Sequence, residues 1–172
     1  YDFYGANRLG DNLFANSILA INAITGKLLW HYQTIHHDVW DRDLPTPPVL
    51  FTYNKDGEKI PALAQVTKSG YVFVLNRITG APIFEIKEEK VPTNTPLAGE
   101  KLSPTQPIPS FFSPFSRQTF NENELNPFLG EEENDKLLAQ FRSLRKDHVF
   151  APPSQEGTLI FPGYDGGAEW GG

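Results

Sequence analysis

A short hairpin frame occurs twice in this chain, and it constrains the fold more than any other feature. Ile18-Leu19-Ala20-Ile21-Asn22-Ala23-Ile24-Thr25-Gly26-Lys27-Leu28-Leu29-Trp30 aligns with Val72-Phe73-Val74-Leu75-Asn76-Arg77-Ile78-Thr79-Gly80-Ala81-Pro82-Ile83-Phe84. Each copy is an apolar strand, then Asn-x-x-Thr-Gly, then a second strand ending in an aromatic residue; Asn22 and Asn76 are 54 positions apart. Asn and Gly supply the backbone conformations of a tight turn, and the flanking β-branched and aromatic residues suit half-buried strands. A hairpin recurring at this spacing predicts a propeller blade or β-array. Thr-Gly turns are common, so two unrelated hairpins are the alternative.

Further strands are expected over 47–56 and 59–66, joined by the turn Asn54-Lys55-Asp56-Gly57, and a last one over 158–161. Between 91 and 115 stand Pro92, Pro96, Pro104, Pro107, Pro109 and Pro114. That density argues against regular structure and predicts an extended surface loop. Residues 121–148 change character. Asn121 and Glu124 resemble a capping box, and Leu137, Phe141 and Leu144 follow helical spacing. Acidic residues at 131–133 and Arg142, Arg145 and Lys146 beyond them match the helix dipole. A helical insertion between blades is expected there, its charges a solvated face.

Composition narrows the function. A net charge of −6 argues against a nucleic-acid or anionic-membrane surface. The absence of cysteine excludes thiol catalysis, a thiolate metal site and heme attachment through cysteine. No apolar run reaches the length of a membrane span. The chain lacks an initiator Met and opens on Tyr1, so it reads as an internal piece of a longer protein.

The chemistry is concentrated just after the first hairpin, in Tyr32-Gln33-Thr34-Ile35-His36-His37-Asp38-Val39-Trp40-Asp41-Arg42-Asp43-Leu44-Pro45. Three carboxylates and two histidines beside a tryptophan admit a metal site. Adjacent residues on an extended chain point in opposite directions, however, so His36 and His37 are poorly arranged to share an ion. Loop-orienting hydrogen bonds are their expected role. Trp40 either packs under a site or fills the core.

From Trp30 to Asp41 the sequence closely resembles the corresponding segment of PQQ-dependent (pyrroloquinoline quinone) dehydrogenases, particularly the membrane-bound glucose dehydrogenase type. Leu44-Pro45, Lys68-Ser69-Gly70, Ser103-Pro104-Thr105-Gln106-Pro107, Pro152-Pro153-Ser154-Gln155-Glu156-Gly157-Thr158-Leu159 and the terminal Gly166-Gly167-Ala168-Glu169-Trp170-Gly171-Gly172 continue the resemblance in order. It implies an all-β fold: part of an eight-bladed β-propeller of four-stranded antiparallel sheets, of which this chain would hold about three blades or fewer. Residues 1–172 would belong to one propeller domain. Within it, 1–91 would carry blade hairpins and the catalytic loop, 92–148 the Pro-rich loop and helical insertion, and 149–172 the start of the next blade.

The resemblance also implies roles. Asp41 would be the general base that takes the proton of a substrate hydroxyl as hydride leaves its carbon. Lys68 would contact the quinone oxygens of PQQ and hold the charge that develops there. Trp170 and Gly171 would approach the cofactor rim, and Asn7 and Arg8 are further cofactor-binding candidates, an Arg being suited to a PQQ carboxylate. Asp43 is a candidate for the neighbourhood of a divalent cation, Ca²⁺ or Mg²⁺, whose principal ligands would lie outside this chain; fixing the loop before Pro45 is its other reading. The implied partners are a sugar or alcohol substrate, a quinone or cytochrome electron acceptor and the remaining blades, with a periplasmic or periplasm-facing location. Propeller repeats also build non-catalytic scaffolds, but a scaffold has no need of Asp41 and Lys68 together.

Overall fold

In the computed structural model of the chain, residues 3–170 are described. They form three antiparallel sheets in sequence order. β1 (Ser17–Ile21) pairs with β2 (Leu28–Gln33), β3 (Val49–Lys55) with β4 (Glu58–Val66) and β4 with β5 (Val72–Asn76), and β6 (Ile86–Lys90) with β7 (Thr105–Pro109). Both repeats build the same turn. Asn22 Oδ1 accepts from the amides of Ile24 and Thr25 at 3.0 and 2.9 Å, and Asn76 Oδ1 from those of Ile78 and Thr79 at 2.9 and 3.3 Å. Gly26 and Gly80 close the two turns with φ of 68° and 74°, the left-handed region that favours glycine.

The second strand of the second repeat does not form in full. The segment keeps a bridge between Leu75 and Pro82, flanked by bonds from Asn76 N to Ala81 O at 2.8 Å and from Ile83 N to Val74 O at 2.9 Å, so Pro82 opposes Leu75 at a non-hydrogen-bonded pair. The repeats also touch each other. Trp30 donates its indole N–H to Arg77 O at 3.2 Å, and its ring lies where a Cβ on Gly80 would fall, 2.7 Å away. One core joins the first two sheets through Ile18, Leu63 and Leu75. A second gathers Ile35, Val39, Trp40 and Phe150 under the loop that follows β2.

Three expectations are corrected. The Pro-rich stretch contains a strand, β7, despite Pro107 and Pro109. Bonds from Ser110 N to Glu85 O and from Val91 N to Pro104 O set the phase of the β6–β7 ladder. Both prolines therefore oppose their partners at non-hydrogen-bonded pairs, where a missing N–H costs nothing. Thr158 to Phe161 is not a strand; Thr158 makes a single parallel bridge to Arg145. The capping box of Asn121 and Glu124 closes a separate 3-10 turn at Glu122–Glu124, and helix α1 runs later, over Glu131–Ser143. Its first turn carries Glu131, Glu132 and Glu133 and its last Arg142, and Phe141 is its one buried residue, packed on Phe120.

Candidate active site

The loop from β2 to β3 carries Asp41, and the turn from β4 to β5 carries Lys68. Burial of Trp40 anchors the first. Its indole donates to Ala151 O at 2.8 Å and its ring meets Phe150 edge-on, so Trp40 is core. Buried Gln106 clasps the backbone of His36, accepting from its amide at 2.8 Å and donating to its carbonyl at 2.7 Å. The histidines point apart on a bend, where His37 takes φ of 46°. His36 faces Gln33 and Glu88, whereas His37 is buried between Gly10 O, 2.7 Å from Nδ1, and Glu100, 2.8 Å from Nε2. Among the described residues no three metal-ligating side chains come together.

Lys68 stands on a tight turn closed by Gly70 N to Thr67 O at 2.9 Å and by Thr67 Oγ1, which accepts from Tyr71 N at 3.1 Å. Gly70 takes φ of 81° there. The glycine-rich segment folds onto this turn: Gly167 N donates to Lys68 O at 2.8 Å, and a Cβ on Gly166 would come within 2.6 Å of Lys68 Cα. Only glycine permits that approach. Trp170 is thereby brought to the site, its ring centroid 5.3 Å from Lys68 Nζ. Gly171 lies outside the described residues.

Three charges from two loops converge. Lys68 Nζ is 2.7 Å from Asp43 Oδ1 and 3.3 Å from Asp41 Oδ2. The Lys68 side chain is 4% exposed and that of Asp41 29%, so the Asp41 carboxylate remains reachable while the ammonium is sheltered. Burial and a hydrogen bond with Asp43 raise the Asp41 carboxyl above the usual carboxylate range, against the pull of Lys68. Burial alone would lower the Lys68 ammonium, but Asp43 and Asp41 outweigh it and the net direction is up. Such a cluster can hold a proton-accepting carboxylate against a fixed cation.

Arg8 donates to Asp38 O at 2.5 Å and to Asn12 Oδ1, so it braces the loop carrying Asp41; Asn7 is exposed in the preceding turn. A cavity of about 580 Å³ opens elsewhere, between α1 and residues 118–122, and Gln118 joins it to the Lys68 turn by donating to Ser69 O at 2.9 Å.

Two residues escaped the sequence reading. Arg42 is fully buried behind Lys68, donating to Lys68 O at 3.3 Å and Gly163 O at 3.4 Å, and burial pushes its guanidinium down to about 10. Three acids flank it in the sequence, which is a signal for a charge-balancing cation. Glu100, buried against His37, had none, because its partner is 63 positions away.

The chain matches the family model for the PQQ glucose/ethanol/alcohol dehydrogenase β-propeller domain over residues 1–172. It is 40% identical to the quinoprotein glucose dehydrogenase of Escherichia coli strain K12, covering 99% of this chain and 21% of that protein. It is 42% identical to the quinoprotein glucose dehydrogenase of Gluconobacter oxydans, with 99% and 21% covered, and 37% identical to a probable quinate dehydrogenase (quinone) of Xanthomonas campestris, with 99% and 22% covered. Among solved structures, the quinohemoprotein alcohol dehydrogenase of Comamonas testosteroni is 33% identical, with a TM-score of 0.42 over 59% of this chain and 14% of that one. The chain thus spans about a fifth of the length of the curated relatives it matches. With a family match running from first residue to last, and relatives about 40% identical over nearly all of it, this chain belongs to the PQQ-dependent dehydrogenase β-propeller family.

Proposed function

We propose that, within its full-length protein, this chain supplies the base and the cofactor-facing cation for PQQ-dependent oxidation of an aldose sugar, glucose-like, or a related alcohol. The observation that carries this reading is the meeting of Asp41, Asp43 and Lys68 within 3.3 Å at the junction of two loops. Asp41 accepts the hydroxyl proton of the substrate while hydride leaves the carbinol carbon. Lys68 keeps Asp41 oriented and offsets negative charge developing beside it. PQQ, when bound, supplies the two-electron acceptor.

The residues suit such a group. Lys68 is cationic, the Trp170 ring is adjacent, and Arg42 Nε and Nη2 have no hydrogen-bond partner among the described residues. A flat, polyanionic quinone is met by cations and an aromatic face. The divalent cation is proposed to take its principal ligands from other blades, with Asp43 nearby. Segment 92–148 is proposed to shape the pocket mouth, and electrons are proposed to pass to a quinone or cytochrome on the periplasmic side. Among the described residues no helix is long and apolar enough to cross a membrane.

The test is a dye-linked assay of the full-length protein loaded with PQQ and Ca²⁺ or Mg²⁺, against glucose, quinate, glycerol and ethanol. PQQ-dependent turnover with an aldose preferred is expected. No turnover on any of the four overturns the reading, and a preference for another substrate overturns its aldose part. The chain alone, lacking the other blades, is expected not to turn over.

A further inference from the structure

We propose that Asp38 is the positioning residue for Asp41, acting through the backbone N–H groups of the residues on either side, Trp40 and Arg42. This rests on the reading of Asp41 as the base.

Asp41 takes φ of +61°, a left-handed conformation that is strained for an L-residue, though Asp tolerates it better than most. Something must hold it there. Asp38 Oδ1 accepts from Trp40 N at 2.8 Å, and Asp38 Oδ2 accepts from Arg42 N at 2.7 Å. One carboxylate thus bridges the residues before and after Asp41. Bonds of a carboxylate to amides are charge-assisted and stronger than neutral ones.

The clamp is itself fastened. Asp38 Oδ2 also accepts from Asn16 Nδ2 at 2.8 Å, and Asp38 O accepts from Arg8 at 2.5 Å. Asn16 O in turn accepts from Thr34 N at 2.8 Å and from Thr34 Oγ1 at 3.0 Å, which ties the clamp to the base of the first hairpin. Beyond the clamp, Trp40 is pinned to Ala151 and Arg42 to Lys68 O. The chain on both sides of Asp41 is therefore held, with its carboxylate on the side of Lys68, 3.3 Å from Nζ. Asp38 needs no contact with substrate to matter. A shift of about 1 Å in a catalytic group can cost on the order of 10² in rate.

The test is a double-variant cycle in the full-length, PQQ- and metal-loaded protein, with Asp38→Asn, Asp41→Asn and both together. An Asn at 38 accepts through one oxygen only and turns an amide donor towards Arg42 N or Trp40 N. Expected for Asp38→Asn is a fall in kcat of roughly 10- to 100-fold, with KM and PQQ affinity within about threefold. Because Asp38 acts through Asp41, the double variant should be no slower than Asp41→Asn alone. Unchanged kcat, or losses that multiply in the double variant, overturns the proposal.

Hydrogen exchange supplies a readout independent of turnover. The Trp40 and Arg42 amides should exchange at least tenfold faster in Asp38→Asn while the β4 amides stay protected; retained protection at 40 and 42 also overturns it. If Asp41→Asn alone keeps more than about a tenth of the rate, the base assignment fails instead, and positioning is judged on exchange. Should Asp38→Asn not accumulate folded, Asp38→Ser, whose hydroxyl accepts from one amide, takes its place with the same criteria.

Discussion

Asp43, and not the proposed base, makes the closer approach to Lys68: its Oδ1 is 2.7 Å from Nζ, against 3.3 Å for Asp41 Oδ2. Lys68 is therefore shared, and Asp43 determines how much of its charge Asp41 receives. A carboxylate base works when ionised, so activity is lost as pH falls through its pKa, and a raised pKa places that loss at higher pH. Asp43 raises Asp41 and Lys68 lowers it. In the full-length enzyme, Asp43→Asn should move the acid limb of the kcat/KM profile to lower pH, and Lys68→Met should move it to higher pH. Shifts of the same sign in both variants would be incompatible with this arrangement.

Asp41→Asn removes the proposed proton acceptor while keeping the shape. Turnover of the full-length enzyme should fall by 10² or more, the order a general base contributes, with PQQ binding retained. Steady-state kinetics together with PQQ titration by absorbance check both halves.

Lys68→Met should cost on the order of 10²–10³ in turnover, the loss expected when a donor to developing charge is removed. Unlike Asp41→Asn, it should also weaken PQQ binding, and the same titration separates the two.

Gly166 should tolerate nothing larger. At φ of 82° with Lys68 Cα 2.6 Å from the position of a new Cβ, Gly166→Ala combines backbone strain of roughly 1–2 kcal/mol with an overlap on the Lys68 turn. Gly57, at φ of 89° with open space around it, should suffer the strain alone. Thermal melting should drop in both variants, whereas PQQ affinity should drop in Gly166→Ala only.

Gln106→Ala should be costly although Gln106 touches none of the charged cluster. It strands the amide and carbonyl of His36, two half-buried backbone groups, at about 1–3 kcal/mol for an unmade buried pairing. A lowered melting temperature, with a smaller loss for Gln106→Glu than for Gln106→Ala, would mark the accepting bond to His36 N as the one that survives.

Local interactions were legible in the residue order. Asn22 and Asn76 cap turns through amides two and three positions ahead, and the acidic first turn of α1 follows its own dipole; neither depends on distant residues. The Trp30-to-Asp41 stretch likewise pointed to its family and singled out Asp41, and Lys68 followed from the same resemblance. Where local rules misled, a partner from elsewhere had intervened. Pro107 and Pro109 lie in a strand because β6 meets them in the one phase that does not need their N–H.

The candidate site divides the same way. The family resemblance nominated Asp41 as an acceptor of protons and Lys68 as a cation facing the cofactor. Their meeting is a tertiary fact, since residues 41 and 68 sit on different loops and come together only when β3, β4 and β5 pair and Gly166 packs on the Lys68 turn. The buried Arg42, the Glu100 partner of His37 and the left-handed backbone of Asp41 are likewise products of packing. The feature that opened the sequence, a hairpin written twice, settled how each turn is made. Only the folded chain decided that Trp30 of the first copy lies on Gly80 of the second, because contacts across 50 positions depend on how sheets stack and not on the period of their side chains.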